Sequence, residues 1–295
     1  MMNTPAQNNQ FLVDEFTYQE WKKVRLRSNL QCANDLIVEI DSLTNMSGTE
    51  VEAIKKLCGR TNMAIYRCRD KFADRAAVRS FASSFGLQKI DHHLCANTDG
   101  VSELTVASDG LRTGYVPYSN RSLSWHTDGY YNDKTRQINA VVLHCVHNAT
   151  TGGENALLDP EVAYIRLRDE DPRFITAFEH PECMTIPANM GAEGEIRAEV
   201  CGPVFSCDAG GYLHMRYSAR KKNISWRDDD LTRAARDFMS EILSDKDDLV
   251  FRYRLRPGEG LISNNVLHNR TTFTDGPGHK RLLYRARFFD RIETD

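Results

Sequence analysis

Beyond residue 101 the chain is cut into short apolar runs, at 102–107, 138–146, 183–187, 200–206, 211–217, 249–255, 260–267 and 280–289. Gly, Asn and Asp clusters separate many of them. Short apolar or alternating runs that stop at turn formers read as strands. A long succession of them favours a β-sandwich or barrel. Two helical stretches interrupt the series. Asp159-Pro160-Glu161 places an N-cap and then proline at the first helical position, ahead of Val162 and Ile165. Asp229 to Ser244 carries Leu231, Ala235, Phe238 and Ile242 at helical spacing.

The first hundred residues alternate helix and strand instead. Ser47 and Glu50 form a capping-box pattern, with Val51, Ile54 and Leu57 three apart and Gly59 after them. Asn62 to Cys68 reads as a strand. Asp74 to Phe85 carries Ala77, Val78, Phe81 and Phe85 and stops at Gly86. No repeat and no Pro/Gly/Ser linker divides the chain. The expected organisation is a polar, disordered tail at 1–10 and a single domain over 11–295. Within it, an α/β extension at 11–100 packs on a β core at 101–295. An apolar share of 41% supports a sizeable core.

Charge narrows the function classes. Lys+Arg 38 against Asp+Glu 41 gives a net −3, which argues against a coat for nucleic acid or an anionic membrane. No apolar run has the length of a membrane span, and MMNTPAQNNQ lacks the basic and apolar regions of a secretory signal. The cysteines at 32, 58, 68, 95, 145, 183, 201 and 207 contain no C-x-x-C and read as reduced thiols. The expected location is the cytoplasm.

The segment Ser124-Trp125-His126-Thr127-Asp128-Gly129-Tyr130 carries the chemistry. On an extended backbone, residues two apart share a face, so His126 and Asp128 can converge on one ion. His268 ends the run GLISNNVLH. Two histidines and one carboxylate leave three positions open in an octahedral shell, which suits non-haem Fe(II). Alone, H-x-D is common on surfaces and a histidine after an apolar run is commonly a structural hydrogen-bonder. Their company decides. In KRLLYRARFF, Arg281, Leu283, Arg285 and Arg287 share one face by alternation, opposite Leu282, Tyr284 and Ala286. A buried guanidinium needs an anionic partner, either an internal carboxylate or an acidic ligand.

The order W-H-T-D, G-G-E-N (152–155), P-G-E-G-L-I-S-N-N-V-L-H-N-R (257–270) and K-R-L-L-Y-R-A-R-F (280–288) resembles the TauD/TfdA-like family. These are Fe(II)- and 2-oxoglutarate-dependent dioxygenases of the clavaminate synthase-like group. The resemblance spans roughly residues 60–291, and the ordered set is far more specific than any one motif. It implies a double-stranded β-helix (jelly-roll) core with helical insertions. It implies that His126, Asp128 and His268 bind iron, and that Arg281 grips the distal carboxylate of 2-oxoglutarate. Arg285 matches a second arginine near the co-substrate or substrate. Asn155 stands where taurine dioxygenase-like members often have Thr, which points toward a clavaminate-type or betaine-hydroxylase-type branch. The implied reaction consumes O2 and 2-oxoglutarate and releases succinate and CO2. Because Asp128 is present, hydroxylation, desaturation or cleavage is expected rather than halogenation.

For the substrate, Tyr115, Tyr118, Asn120, Tyr130 and Tyr131 flank the metal-binding segment, and Arg216 and Tyr217 follow in LHMRYSARKKNISW. With Arg287 they form a set of rings and guanidinium groups suited to a zwitterion. Each tyrosine fits ordinary strand packing equally well, and Arg287 a structural role. His144 and His147 face opposite sides of a strand and do not make a zinc site. His92, His93 and His279 are expected at the surface, His214 in a hydrogen-bonding role, and Arg220-Lys221-Lys222 in a solvated turn. The expected activity is oxidation of a small polar metabolite such as an amino acid, betaine or organic acid. The alternatives are oxygenation of a protein or tRNA, and a silent small-molecule sensor on the same fold. Family members often form homo-oligomers.

Overall fold

Alternation along the strand Leu282–Phe288 builds the larger sheet. Tyr284, Ala286 and Phe288 turn to one side, Leu283 to the other. The computed structural model, which describes residues 14–26, 32–71, 73–191, 194–208, 210–244 and 249–294, places this strand in a six-stranded sheet. The order is Ile37–Ile40, Met63–Cys68, Glu259–Ser263, Ala140–His147, Leu282–Phe288, Ser102–Leu104. The first pair is parallel, and every other pair is antiparallel. The tail at 1–10, expected to be disordered, lies outside the described residues.

Each face of this sheet has its own core. Ala64, Tyr66, Val142, Ile262 and Ala286 pack under two helices, Gly48–Thr61 and Arg75–Ser83, which contribute Ile54, Cys58, Val78, Phe81 and Ala82. Both helices start as the sequence predicts. The Ser47 hydroxyl accepts from the Glu50 amide and the Glu50 carboxylate accepts from the Ser47 amide, a full capping box. Asp74 caps the second helix through the Ala77 amide. On the opposite face Ile65, Val141, Leu143, Leu261 and Leu283 meet Leu157 and Val266. Gly260 is required mid-strand, because a Cβ there would lie 2.1 Å from the Tyr66 hydroxyl.

By contacts, the chain forms two units, each assembled from separated stretches. One comprises Asn29–Ser124, Ile138–Leu157 and Phe251–Asp295 and contains the six-stranded sheet. A four-stranded sheet runs Phe251–Tyr253, Asn155–Leu158, Leu267–Arg270, Leu123–His126. The other unit comprises Met1–Ser28, Trp125–Gln137 and Leu158–Val250. Helices dominate it: Glu15–Leu26, Pro160–Glu170, Pro172–Glu179 and Asp230–Ile242. Phe174 meets Phe238 at 6.0 Å between ring centroids, and Phe178 meets Phe205 at the same distance. The Tyr18 hydroxyl bonds the Asp169 carboxylate at 2.9 Å, with the Arg168 guanidinium over its ring. Small sheets complete the unit: 189–191 with 194–197, 184–186 between 200–202 and 225–226, and 205–207 with 213–215.

The fold is mainly β with helices, as the sequence leads one to expect. Two helices escape the sequence reading. Pro172–Glu179 opens on Asp171-Pro172, a repeat of the Asp159-Pro160 device. Glu15–Leu26 buries only Tyr18 among its residues and lacks a wide apolar stripe. The run expected at 260–267 is two strands, not one. Asn265 takes the left-handed conformation at φ 52°, breaks the run and sends Leu267–Arg270 into the four-stranded sheet. Among the described residues no helix is long and apolar enough to cross a membrane. All eight cysteines are free thiols.

Candidate functional site

His126 and Asp128 sit in the second stretch of the helix-rich unit, Trp125–Gln137. His126 closes the strand Leu123–His126, and the chain continues as a ladder against residues 217–219. The Thr127 amide donates to the Tyr217 carbonyl at 3.0 Å, and the Tyr217 amide returns a bond to the Thr127 hydroxyl at 3.1 Å. The Ala219 amide donates to the Trp125 carbonyl at 2.8 Å. Trp125 locks the strand further, its indole N–H donating to the Leu243 carbonyl at 3.0 Å. Gly129 turns the chain at φ 69° directly after Asp128. His126 and Asp128 are both buried. The rings of His126 and Tyr130 meet edge-on at 6.2 Å.

His268 belongs to the other unit, as the second residue of Leu267–Arg270. Its Nδ1 lies 2.9 Å from the Val266 carbonyl. A carbonyl only accepts, so Nδ1 donates to it, which leaves Nε2 as the ring nitrogen that would ligate a metal. Among the described residues, no group of three His, Cys, Asp or Glu side chains is gathered as a metal-holding set.

Arg281 precedes the strand Leu282–Phe288, where the register slips: Leu282 opposes His147 and Leu283 opposes Cys145. Arg281 is only 4% exposed. Its backbone amide donates to Asp275, its guanidinium lies 5.0 Å from the Phe273 ring centroid, and its Nη1 has no hydrogen-bond partner. Burial pushes the guanidinium pKa down to about 10, against a smaller upward pull from Cys145 and Asp275. No carboxylate forms an ion pair with it among the described residues.

The G-G-E-N motif makes the space around Arg281. Gly152, at φ 69°, pairs with Phe273 so closely that a Cβ would lie 2.1 Å from the Thr272 carbonyl oxygen. Gly153, at φ 74°, would place a Cβ 3.5 Å from Arg281 Nε. Asn155 is buried nearby in sequence, its Nδ2 donating to the Asn269 carbonyl at 3.0 Å and its Oδ1 without a partner.

The remaining predicted residues separate into two sets. Several are spent on the fold. Arg287 forms a buried ion pair with Asp91, so its anion is internal and the structural alternative holds. Arg216 gives Nη1 and Nη2 to the carbonyls of Met184, Val200 and Gly202. Burial drives its pKa down to about 10. Tyr217 is almost wholly buried against Trp226, and burial raises its pKa. Tyr118 is buried with its hydroxyl on the Cys95 carbonyl. Others remain partly open. Tyr115 is half-buried and Asn120 exposed. Tyr130 and Tyr131 are half-buried, stacked edge-on at 5.3 Å, and Tyr130 accepts a bond from Arg220 at 3.2 Å. Arg285 is buried between Ser102 and Leu143, its charge opposing the upward shift that burial imposes on Tyr118.

The other histidines behave mostly as expected, with one exception. His93 is partly buried, bonded through Nε2 to the Ser102 hydroxyl and through Nδ1 to the Cys95 amide. His144 is fully buried and His147 exposed. The residues that sequence reading missed are Arg270 and Phe273. Arg270 was visible in the motif L-H-N-R, but only the structure shows it buried beside the ring that Arg281 also faces.

Comparison with known proteins gives one family. Residues 33–287 match the model of the Taurine catabolism dioxygenase TauD, TfdA family. A uridine-5'-phosphate dioxygenase of an Amycolatopsis species is 31% identical over 175 residues, 55% of this chain and 59% of that protein. The match thus spans less than two thirds of this curated relative. The structure of AAD-2 in complex with Mn(II) and N-oxalylglycine aligns with a TM-score of 0.62 at 15% identity, covering 90% of this chain and 98% of that one. The non-haem iron oxygenase OrfP, in complex with Fe, succinate and (3S)-hydroxy-L-Arg, aligns with a TM-score of 0.61 at 15% identity, over 85% and 82%. At such identity the structural likeness speaks for the fold.

Proposed function

The chain belongs to the Taurine catabolism dioxygenase TauD, TfdA family, and from that premise we propose that it is an Fe(II)- and 2-oxoglutarate-dependent dioxygenase oxidising a small polar metabolite. The observation that carries this reading is Arg281. A buried guanidinium with an unmatched Nη1, and with no carboxylate ion-paired to it among the described residues, is costly unless a ligand supplies the anion. The distal carboxylate of 2-oxoglutarate is that anion, and Arg281 stands 13 residues beyond His268, in the family's motif order.

His126, Asp128 and His268 would hold the iron. The donor chemistry fits ferrous iron, and the Nδ1 bond of His268 supports it by presenting Nε2. When bound, iron supplies the activation of O2, with 2-oxoglutarate oxidised to succinate and CO2 and a substrate C–H bond oxidised. The chain's part is positioning. Arg281 orients the co-substrate by its far end, Phe273 and Gly153 shape the space beside that guanidinium, and the 217–219 ladder fixes the backbone of 126–128. Asn155 and Arg285 are candidates for further co-substrate contacts. We read residues 11–295 as one catalytic domain on the family's double-stranded β-helix, in a reducing cytoplasm that suits eight free thiols.

For the substrate, the named relatives suggest charged, polar molecules. One is named for uridine-5'-phosphate and another was captured with a hydroxylated arginine. Arg220 on Tyr130 offers a cation beside the His126–Tyr130 segment for an anionic substituent. The test is succinate release with Fe(II), O2 and 2-oxoglutarate over nucleoside 5'-phosphates, amino acids, betaines and organic acids. One class is expected to raise turnover at least about tenfold over the uncoupled rate, and His126→Ala to abolish it. Full turnover in that variant would sink the iron assignment.

A further inference from the structure

Arg270 lies two residues past His268, is buried, and forms no ion pair among the described residues. Its Nη1 and Nη2 go instead to the main chain of one segment. Nη1 reaches the Pro117 carbonyl at 3.4 Å, and Nη2 reaches those of Ser119 at 2.8 Å and Arg121 at 2.5 Å. The Phe273 amide adds a fourth tie, to the Asn120 carbonyl at 3.1 Å. The segment 115–121 is a strap held by short-range bonds, among them the Ser119 hydroxyl donating to the Val116 carbonyl at 2.9 Å and accepting from the Arg121 amide at 3.4 Å. Tyr118 and Ser119 donate one turn back, to Tyr115 and Val116, and Tyr118 is pinned by Ala107 and Cys95. The longer-range ties of residues 119–121 come from Arg270 and Phe273, through the carbonyls of Ser119, Asn120 and Arg121.

Arg270 also faces the anion anchor. Its guanidinium lies 4.9 Å from the Phe273 ring centroid, and that of Arg281 lies 5.0 Å from the same centroid. Two like charges sharing one ring in a desolvated place repel, and an anion on Arg281 cancels that repulsion. We propose that Arg270 is a positioning residue that couples the strap 115–121 to occupancy of Arg281. Co-substrate binding then firms the wall that carries Tyr115 and Asn120 before the substrate arrives. This rests on the reading of Arg281 as the 2-oxoglutarate anchor.

Hydrogen exchange on the full-length, Mn(II)-loaded protein tests it, with calorimetry reporting 2-oxoglutarate binding on the same samples. In the wild type, the amides of Tyr118 and Ser119 should exchange about threefold or more slowly once 2-oxoglutarate is added. In Arg270→Gln they should exchange faster than wild type and no longer respond, although 2-oxoglutarate still binds. Arg270→Lys keeps the charge but cannot span three carbonyls, and should respond only weakly. Binding in the wild type without slowed exchange would overturn the coupling alone. An intact response in Arg270→Gln would do the same. No calorimetric binding to the wild type would take down the co-substrate reading and the coupling with it.

Discussion

The two ends of the strand Leu282–Phe288 bury an arginine each and satisfy it in opposite ways. Arg287, at the far end, is 2% exposed and paired with Asp91, itself 1% exposed. Arg281, just before the near end, is 4% exposed and faces an aromatic ring, with no carboxylate paired to it among the described residues. Burial alone therefore does not distinguish a structural arginine from a binding one. The partner does. A closed pair belongs to the fold, while an open cation waits for an anion from outside. Arg216 shows a third solution, a guanidinium spread over strand-end carbonyls.

The largest effect is expected from truncating the closed end. Arg287→Met should destabilise the protein by about 3–5 kcal/mol, because it strands the Asp91 carboxylate in the core. Replacing both partners, Arg287→Met with Asp91→Leu, should recover most of the loss in denaturant unfolding. A mild single-variant effect would mean that the pair is not structural.

His144, on the adjacent strand, sharpens the comparison from another side. It is fully buried, and desolvation pushes its pKa down to about 4 from 6.5. It meets burial by staying neutral. Between pH 6.5 and 4 the unfolded chain binds this proton and the folded chain does not, so stability falls as pH falls through that window. The loss is on the order of 3 kcal/mol when complete. Unfolding midpoints for wild type and His144→Gln across this range would check it. The variant should flatten that part of the profile.

Smaller effects are expected at the open end. Gly153→Ala puts a side chain at φ 74° and a methyl 3.5 Å from Arg281 Nε. About 1 kcal/mol of stability and less than tenfold in 2-oxoglutarate affinity should be lost. Arg281→Met should be the mildest for stability, within about 1 kcal/mol of wild type in the absence of ligand, since it removes a buried cation that forms no ion pair among the described residues. Differential scanning without 2-oxoglutarate reads this directly. A loss as large as that of Arg287→Met would erase the distinction.

Local physics made much of the fold legible. The Ser47–Glu50 capping box and the Asp159-Pro160 start each fixed a helix with residues a few positions apart. The alternation at 282–288 placed Tyr284 and Ala286 on one packed face and Leu283 on the other, the face that also bears the arginines. Partners were not legible. Asp91 lies 196 residues from Arg287, and the carbonyls that hold Arg270 lie about 150 residues before it. Alternation says which face a side chain takes, not what waits there. The broken run at 260–267 failed for a local reason, since only the left-handed Asn265 reveals that the strand stops before His268.

The central claim is that Arg281 is completed by a carboxylate from outside the chain. Calorimetric titration of 2-oxoglutarate into the Mn(II)-loaded wild type and Arg281→Gln proteins tests it most directly. The account predicts saturable binding to the wild type and an affinity loss of about a hundredfold or more in the variant, matching charge-assisted bonds worth about 3 kcal/mol. Equal affinities in the two proteins would contradict it.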